Sequence, residues 1–363
     1  EVTLLPGRGM QAADVRDADV LLVRSVTRVD ASLLDNSPVR FVGSATIGFD
    51  HVDRDYLQER GIGFSTAPGS NATSAAEYVV SVLMVLSAQQ GFELAGKTVG
   101  IIGCGNVGSR VRQRLTALGM HCLVNDPPLE AQGVQDDFVS LEAALQADIV
   151  TLHVPLERAG QFPTFHLVNT TQLQQLVPGA IFINTARGAV ADNRALDDAL
   201  EHRDDLTVVL DVWENEPAIS TGLLQKVALG TPHIAGYSID GKLRGTGMIY
   251  RAVCNHFDKP VQWHATDAMA AAPAYRLTRD AEAGVLATLR EAVLSVYDVR
   301  EDDARLRETL ALPDAERSAA FDALRKNYPI RREFSESTIQ MQHPGNETGM
   351  LLGKLGFRIA GAD

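Results

Sequence analysis

Thr98-Val99-Gly100-Ile101-Ile102-Gly103-Cys104-Gly105-Asn106-Val107-Gly108 is the stretch whose reading decides the fold. An apolar run leads into a Gly-x-Gly-x-x-Gly turn, and the turn opens an amphipathic segment, Val107 to Leu118, that ends at Gly119. That strand–turn–helix context is what separates a dinucleotide cradle from a chance triplet of glycines. Gly103 makes the tight turn, Gly105 lets backbone approach a pyrophosphate, and Gly108 permits close packing of helix on strand. The unpaired N–H groups at Asn106 and Val107 then face the anion. Asp126 closes the next strand, His121 to Asn125, near the expected separation of about twenty residues. A carboxylate there accepts from both ribose hydroxyls and repels a 2′-phosphate, so the expected cofactor is NAD and not NADP.

Short apolar runs alternate with helical ones on both sides of this stretch, the pattern of a parallel α/β sheet. Upstream, Val20 to Val23, Phe41 to Ser44 and Ile62 to Ser65 read as strands. Asp50 to Arg60 reads as a helix stopped by Gly61, and a helix from about Ala75 to Ala88 follows the turn residues Ala67 to Asn71. Downstream, Ile149 to His153, Ala180 to Asn184 and Leu206 to Leu210 read as strands. Ser140 and Asp192 have the chemistry of helix caps. A helix from about Asp240 to Phe257 is expected to cross back to the first domain. Beyond residue 264 the character changes: Thr266 to Pro273 reads as an alanine-rich linker, Leu277 to Asp298 and Ala315 to Asn327 as helices, Ser337 to Gln342 as a strand. Gly349 to Gly356 reads as a last helix before a final strand.

The 363 residues exceed one ordinary core, and 45% hydrophobic with 22% charged residues is a globular composition. A formal charge of −13 argues against nucleic-acid partners and against an anionic membrane surface. No apolar run reads as long enough to span a bilayer, Glu77 to Ala88 being too short. Three widely spaced cysteines, Cys104, Cys122 and Cys254, make no disulfide framework or metal spacing, and are expected as small buried hydrophobes in a reducing cytoplasm.

The chemistry-bearing residues follow the cradle. Asn184-Thr185-Ala186-Arg187-Gly188 ends a strand on an arginine whose fixed fork of donors suits a carboxylate. Asp211-Val212-Trp213-Glu214-Asn215-Glu216-Pro217 and Thr231-Pro232-His233-Ile234-Ala235-Gly236 supply carboxylates and a histidine. Oxidising a 2-hydroxy acid requires that its carboxylate be held, its hydroxyl proton removed and a hydride delivered to the nicotinamide. Arg187 fits the first task and His233, near neutrality in either protonation state, the second. No metal ligands are expected.

In this order and at these separations the segments resemble the D-isomer-specific 2-hydroxyacid dehydrogenase family. The resemblance implies two doubly wound α/β parallel-sheet domains, a flavodoxin-like substrate domain (1–73 and 238–263) and a Rossmann NAD domain (74–237). An α+β C-terminal dimerisation domain (264–363) completes the expected homodimer, located in the cytoplasm. The resemblance also favours Glu216 over Glu214 as the partner of His233, because the family's glutamate directly precedes a proline. It adds Val154, Thr185, Ala186, Asp211 and Gly236 to the cofactor contacts, with Asp211 at the nicotinamide carboxamide. Glu157 stands where many relatives carry a threonine. Val23-Arg24-Ser25-Val26-Thr27 and Gly43-Ser44-Ala45-Thr46 look like loops of phosphate-bearing members. By that likeness Ser25, Thr46 and Tyr237 bind substrate and Arg24 neutralises a phosphate. The implied reaction is oxidation of 4-phospho-D-erythronate at C2, in pyridoxine biosynthesis. Alternatives are 3-phosphoglycerate or another D-2-hydroxyacid as substrate, or a non-catalytic NAD(H)-sensing role. The resemblance further implies a strand and helix ahead of those read here, so the chain, which begins at Glu1 and not Met, is expected to be truncated.

Overall fold

In the computed structural model, which describes residues 2–268, 273–277 and 284–361, the chain forms two compact units. Unit 1 comprises Glu1–Asn71 and Ile239–Ala271, and unit 2 comprises Ala72–Ser238 and Ala272–Asp363.

Unit 1 is built on three parallel strands, β1 (Val20–Val23), β2 (Phe41–Ser44) and β3 (Gly63–Thr66), in the order β1-β2-β3. The register pairs Val23 with Ser44 and Ser44 with Thr66, so the three strands finish at one edge. Two of its helices begin where carboxylates satisfy otherwise unpaired amides: Asp30 accepts from Ser32 and Asp53 from Tyr56. The second of these, Arg54–Glu59, starts later than the sequence reading because Asp53 is the cap. The crossover helix Ile239–His256 belongs to this unit, with the His256 ring 5.1 Å from that of Phe41. The core gathers Val15, Leu21, Val29, Leu34, Val42 and Leu57.

Unit 2 carries six parallel strands: β4 (Thr98–Ile102), β5 (His121–Asn125), β6 (Ile149–Leu152), β7 (Ile181–Asn184), β8 (Thr207–Leu210) and β9 (Leu229–Gly230). Their order, β5-β4-β6-β7-β8-β9, reverses direction at β4. The carboxyl ends of β4 and β6, at this switch point, are where such sheets take ligands. The two-residue β9 gave no periodicity to read in the sequence.

The helix Ala72–Gln90 has 19 residues, well beyond the expected Ala75 to Ala88. By length and composition it could cross a membrane, which corrects the reading that no run is long enough. Its most apolar window is 83% buried inside the protein, so it serves as a core helix. Tyr78, Val79, Val82, Leu83 and Leu86 along it are fully enclosed.

The C-terminal portion has its own parallel sheet, β10 (Ala274–Arg276), β11 (Thr338–Met341) and β12 (Arg358–Gly361), in that order. Leu289, Ala292, Val293, Phe334 and Leu352 nevertheless share one apolar core with Tyr78, Val79 and Leu83 of the long helix. The expected helix from Leu277 to Asp298 is described as Val285–Val296; residues 278–283 lie outside the described part. Val299–Glu308, which the sequence reading missed, is helical and capped by Asp298. Its mean hydropathy is low, so it carries little apolar signal. Cys254 is buried as expected, whereas Cys104 and Cys122 are half-buried, because the first sits in the glycine turn and the second on edge strand β5.

Candidate active site

The glycine turn has the geometry that a pyrophosphate needs. Gly103 takes φ +89°, left-handed backbone that a side chain resists. A Cβ on Gly108 would lie 1.9 Å from the Gly103 carbonyl oxygen, so only glycine lets the helix Asn106–Ala117 start this close to β4. A Cβ on Gly105 would meet nothing within 4 Å, and no side chain caps this helix start. The open face and uncapped N–H groups fit an anion. Asp126 is oriented by two amides, Cys104 N–H at 2.7 Å and Leu129 N–H at 3.0 Å, and each oxygen keeps lone pairs for a ribose. Val154, after β6, lies beside Gly103.

Thr185 follows β7, and its hydroxyl meets His153 Nδ1 at 3.2 Å while Thr151 meets Nε2 at 3.0 Å. Burial pushes the His153 imidazole down to about 3, so it stays neutral and acts as a hydrogen-bonding brace. The sequence reading used His153 only as a strand end. The signal was there, since an imidazole at the carboxyl end of a crevice strand is a site position.

Arg187 stands at the start of a single 3₁₀ turn, Gly188–Val190. The Asn184 side chain fixes this corner by donating to Arg187 O and accepting from Ala186 N–H, both at 3.0 Å. Gly188 is pressed on the Trp213 backbone, with a Cβ there falling 1.9 Å from its carbonyl oxygen. The arginine turn and the carboxylate segment are therefore held together.

His233 Nδ1 lies 2.7 Å from Glu216 Oε2. Glu216 Oε1 accepts from Trp213 N–H at 2.8 Å. Burial raises the Glu216 carboxyl, but the His233 charge and hydrogen bond, with the Trp213 amide, outweigh it and hold Glu216 below its usual range. Such a charge-assisted bond is worth about 1.5–3 kcal/mol and fixes the imidazole tautomer. Glu214 turns elsewhere, to His166 Nε2 at 2.8 Å and Asn193 N–H at 2.9 Å. His166 N–H donates to Ala189 O and Asn193 Nδ2 reaches Gly188 O, so Glu214 and His166 support the Arg187 turn from beneath.

The fold gathers His166, Asp192 and Glu214 with ligand atoms within 4.8 Å of one another. Sequence spacing did not reveal this set because three separate segments supply it. Its atoms are already committed: Asp192 caps the helix Asn193–Leu200 and Glu214 pairs with His166. Asp211, expected at the nicotinamide carboxamide, is 1% exposed and directs both oxygens to the histidine loop. Oδ1 accepts from Thr231 Oγ1 and Ile234 N–H, both at 2.7 Å, and Oδ2 from Ala235 N–H at 3.0 Å. Tyr78, on the long helix, meets Thr231 Oγ1 at 2.8 Å behind it.

In unit 1, Ser25 is exposed after β1 and Thr46 half-buried after β2, at the edge where the three strands end. Thr46 Oγ1 donates to Gly48 O at 2.8 Å and meets Ser44 Oγ at 2.6 Å. Burial and the Arg24 charge together hold the Lys242 ammonium below its usual range, so two cations of this unit act on each other.

A dinucleotide cradle, an arginine at a strand end and a carboxylate-paired histidine define an NAD-dependent dehydrogenase of 2-hydroxy acids. Residues 72–235 match the family model described as D-isomer specific 2-hydroxyacid dehydrogenase, NAD binding domain, and residues 270–356 match one described only as a domain of unknown function. Similar curated proteins include erythronate-4-phosphate dehydrogenases of Hahella chejuensis, 48% identical over 99% of this chain and 94% of that protein, and of Salinibacter ruber, 50% identical over 93% and 88%. Among solved structures, NAD-dependent formate dehydrogenase from Staphylococcus aureus in complex with NAD aligns with TM-score 0.58 and 26% identity, covering 69% of this chain and 83% of its own. The chain belongs to the D-isomer specific 2-hydroxyacid dehydrogenase family, and within it to the group of the erythronate-4-phosphate dehydrogenases.

Proposed function

We propose that this enzyme oxidises 4-phospho-D-erythronate at C2 to 2-oxo-3-hydroxy-4-phosphobutanoate, a step of pyridoxine biosynthesis in the cytoplasm. The observation that carries the catalytic reading is the 2.7 Å His233–Glu216 pair. NAD, when bound, supplies the hydride acceptor; Gly103, Gly105, Asn106, Val107, Gly108 and Asp126 hold its pyrophosphate and ribose, with Val154, Thr185, Ala186, Asp211 and Gly236 as further contacts. Arg187 grips the substrate carboxylate and stabilises charge growing on the C2 oxygen. His233 accepts the C2 hydroxyl proton at Nε2, since Nδ1 is engaged with Glu216, and Glu216 stabilises the imidazolium that results.

The phosphate reading draws on the curated relatives' names and on Arg24 and Lys242 of unit 1, two neighbouring cations suited to a dianion. Ser25, Thr46 and Tyr237 are the proposed hydroxyl ligands of the substrate. The C-terminal portion is the proposed seat of a homodimer.

The test is NADH formation from 4-phospho-D-erythronate beside 3-phospho-D-glycerate, with a 2-oxo acid supplied in parallel to release tightly held NADH. Preference for the four-carbon acid is expected. Preference for the three-carbon acid would keep the mechanism and overturn the substrate.

A further inference from the structure

His233 has φ +56°, left-handed backbone for a residue with a Cβ. Such a conformation is strained and persists only where its surroundings overdetermine it. Asp211 supplies one set of restraints. A second set comes from the C-terminal portion, which the sequence reading treated only as a dimerisation module.

Arg331 is 5% exposed. Its Nη1 donates to Ala235 O at 3.1 Å and its Nη2 to Ser74 O at 2.7 Å, while its Cζ stands 3.5 Å above the Tyr297 ring centroid. Glu333, 1% exposed, accepts on Oε1 from Ser74 Oγ at 2.8 Å and Ser238 Oγ at 3.2 Å, and the two hydroxyls are 2.6 Å apart. The Tyr328 ring meets the Tyr237 ring edge-on at 5.6 Å. Residues 235–238, directly after His233-Ile234, are thus held along their length by residues 328–333, and tied to the start of the long helix at Ser74.

Burying an arginine and a glutamate carries a large desolvation cost, and apolar replacements of similar volume are often as stable. What an ionic arrangement offers instead is a defined geometry. The guanidinium fork spans two carbonyls on separate segments, which a single ammonium on a flexible stem does not reproduce. We infer that Arg331, supported by Glu333, is a positioning residue that holds the His233 loop in its working conformation, so that the C-terminal portion completes the active site. This rests on the role proposed above for His233.

The experiment compares Arg331→Lys with the parent enzyme in three ways. Turnover of 4-phospho-D-erythronate should fall tenfold or more, with KM for NAD within twofold. The isotope effect from substrate deuterated at C2 should rise as the chemical step becomes limiting. Diethylpyrocarbonate should modify His233 faster, read by peptide mass spectrometry. That last readout needs no turnover, so a wrong substrate would not obscure it. If Arg331→Lys does not fold, Ser238→Ala replaces it, with turnover about threefold lower, recovered by Ser238→Thr, and faster His233 modification. A folded variant with parental turnover, isotope effect and modification rate overturns the inference.

Discussion

The pairing of His233 with Glu216 fixes the orientation of the imidazole that is the proposed base. His233→Ala should lower turnover by about 10²–10⁴, the range for removal of an acid–base group, with NAD affinity by fluorescence titration unchanged. Turnover near the parent's would remove His233 from the mechanism. Gly188 makes a different demand. Alanine there would drive a Cβ into the Trp213 carbonyl, and the clash, on the order of 1–3 kcal/mol, has to displace either the arginine turn or the carboxylate segment. Gly188→Ala should therefore lose both thermal stability and turnover; a variant that melts and turns over like the parent would show that the two segments are not rigidly coupled. Both residues were visible in the sequence as motif members. The reason glycine is required at 188 was not, because the opposing backbone lies 25 positions away.

The long helix Ala72–Gln90 joins core and site, and Glu77 is its least expected residue. It is fully buried, with Arg114 and Arg331 nearby at 3.7 and 4.0 Å and the Phe334 amide donating to it at 2.9 Å. Burial, with the neighbouring Glu333 charge, outweighs both arginines and pushes it from 4.5 up to about 8. A carboxyl raised in the folded state binds its proton more tightly there than in the unfolded chain. Its contribution to stability is therefore complete below about 4.5 and is lost as the pH rises through about 8. The melting temperature should fall between pH 5 and pH 8, and less so in Glu77→Gln; equal slopes for the two proteins would assign the pH dependence elsewhere. In sequence, Glu77 was read only as the first residue of the apolar run Glu77 to Ala88. Its partners come from the glycine-turn helix and from residues 331–334, which no local pattern connects to it.

The three-stranded β10-β11-β12 sheet and its helices share the core of the NAD-binding portion, so the last ninety residues are integral to unit 2. For the whole protein, light scattering should give twice the chain mass, and a monomer at micromolar concentration would contradict the proposed homodimer. The chain divides into its two units at Asn71 and Ser238. The sequence reading placed its first boundary by a local mark, the turn residues Ala67 to Asn71. The shared core left none, since an apolar helix face reads the same whether it packs on its own module or on another.

Local chemistry was sufficient for the alternation of strands and helices, the glycine turn after β4 and the cap residues Ser140 and Asp192, because each depends on neighbours a few positions away. Arg187 and His233 were proposed on the same ground, each lying inside a short segment of defined order, and Glu216 on the family resemblance. Only the tertiary structure decided what holds the Arg187 turn and how Asp211, Arg331 and Glu333 constrain the histidine loop. Those contacts join residues tens to hundreds of positions apart, and their energies come from burial and from paired charges that exist only once the chain has folded.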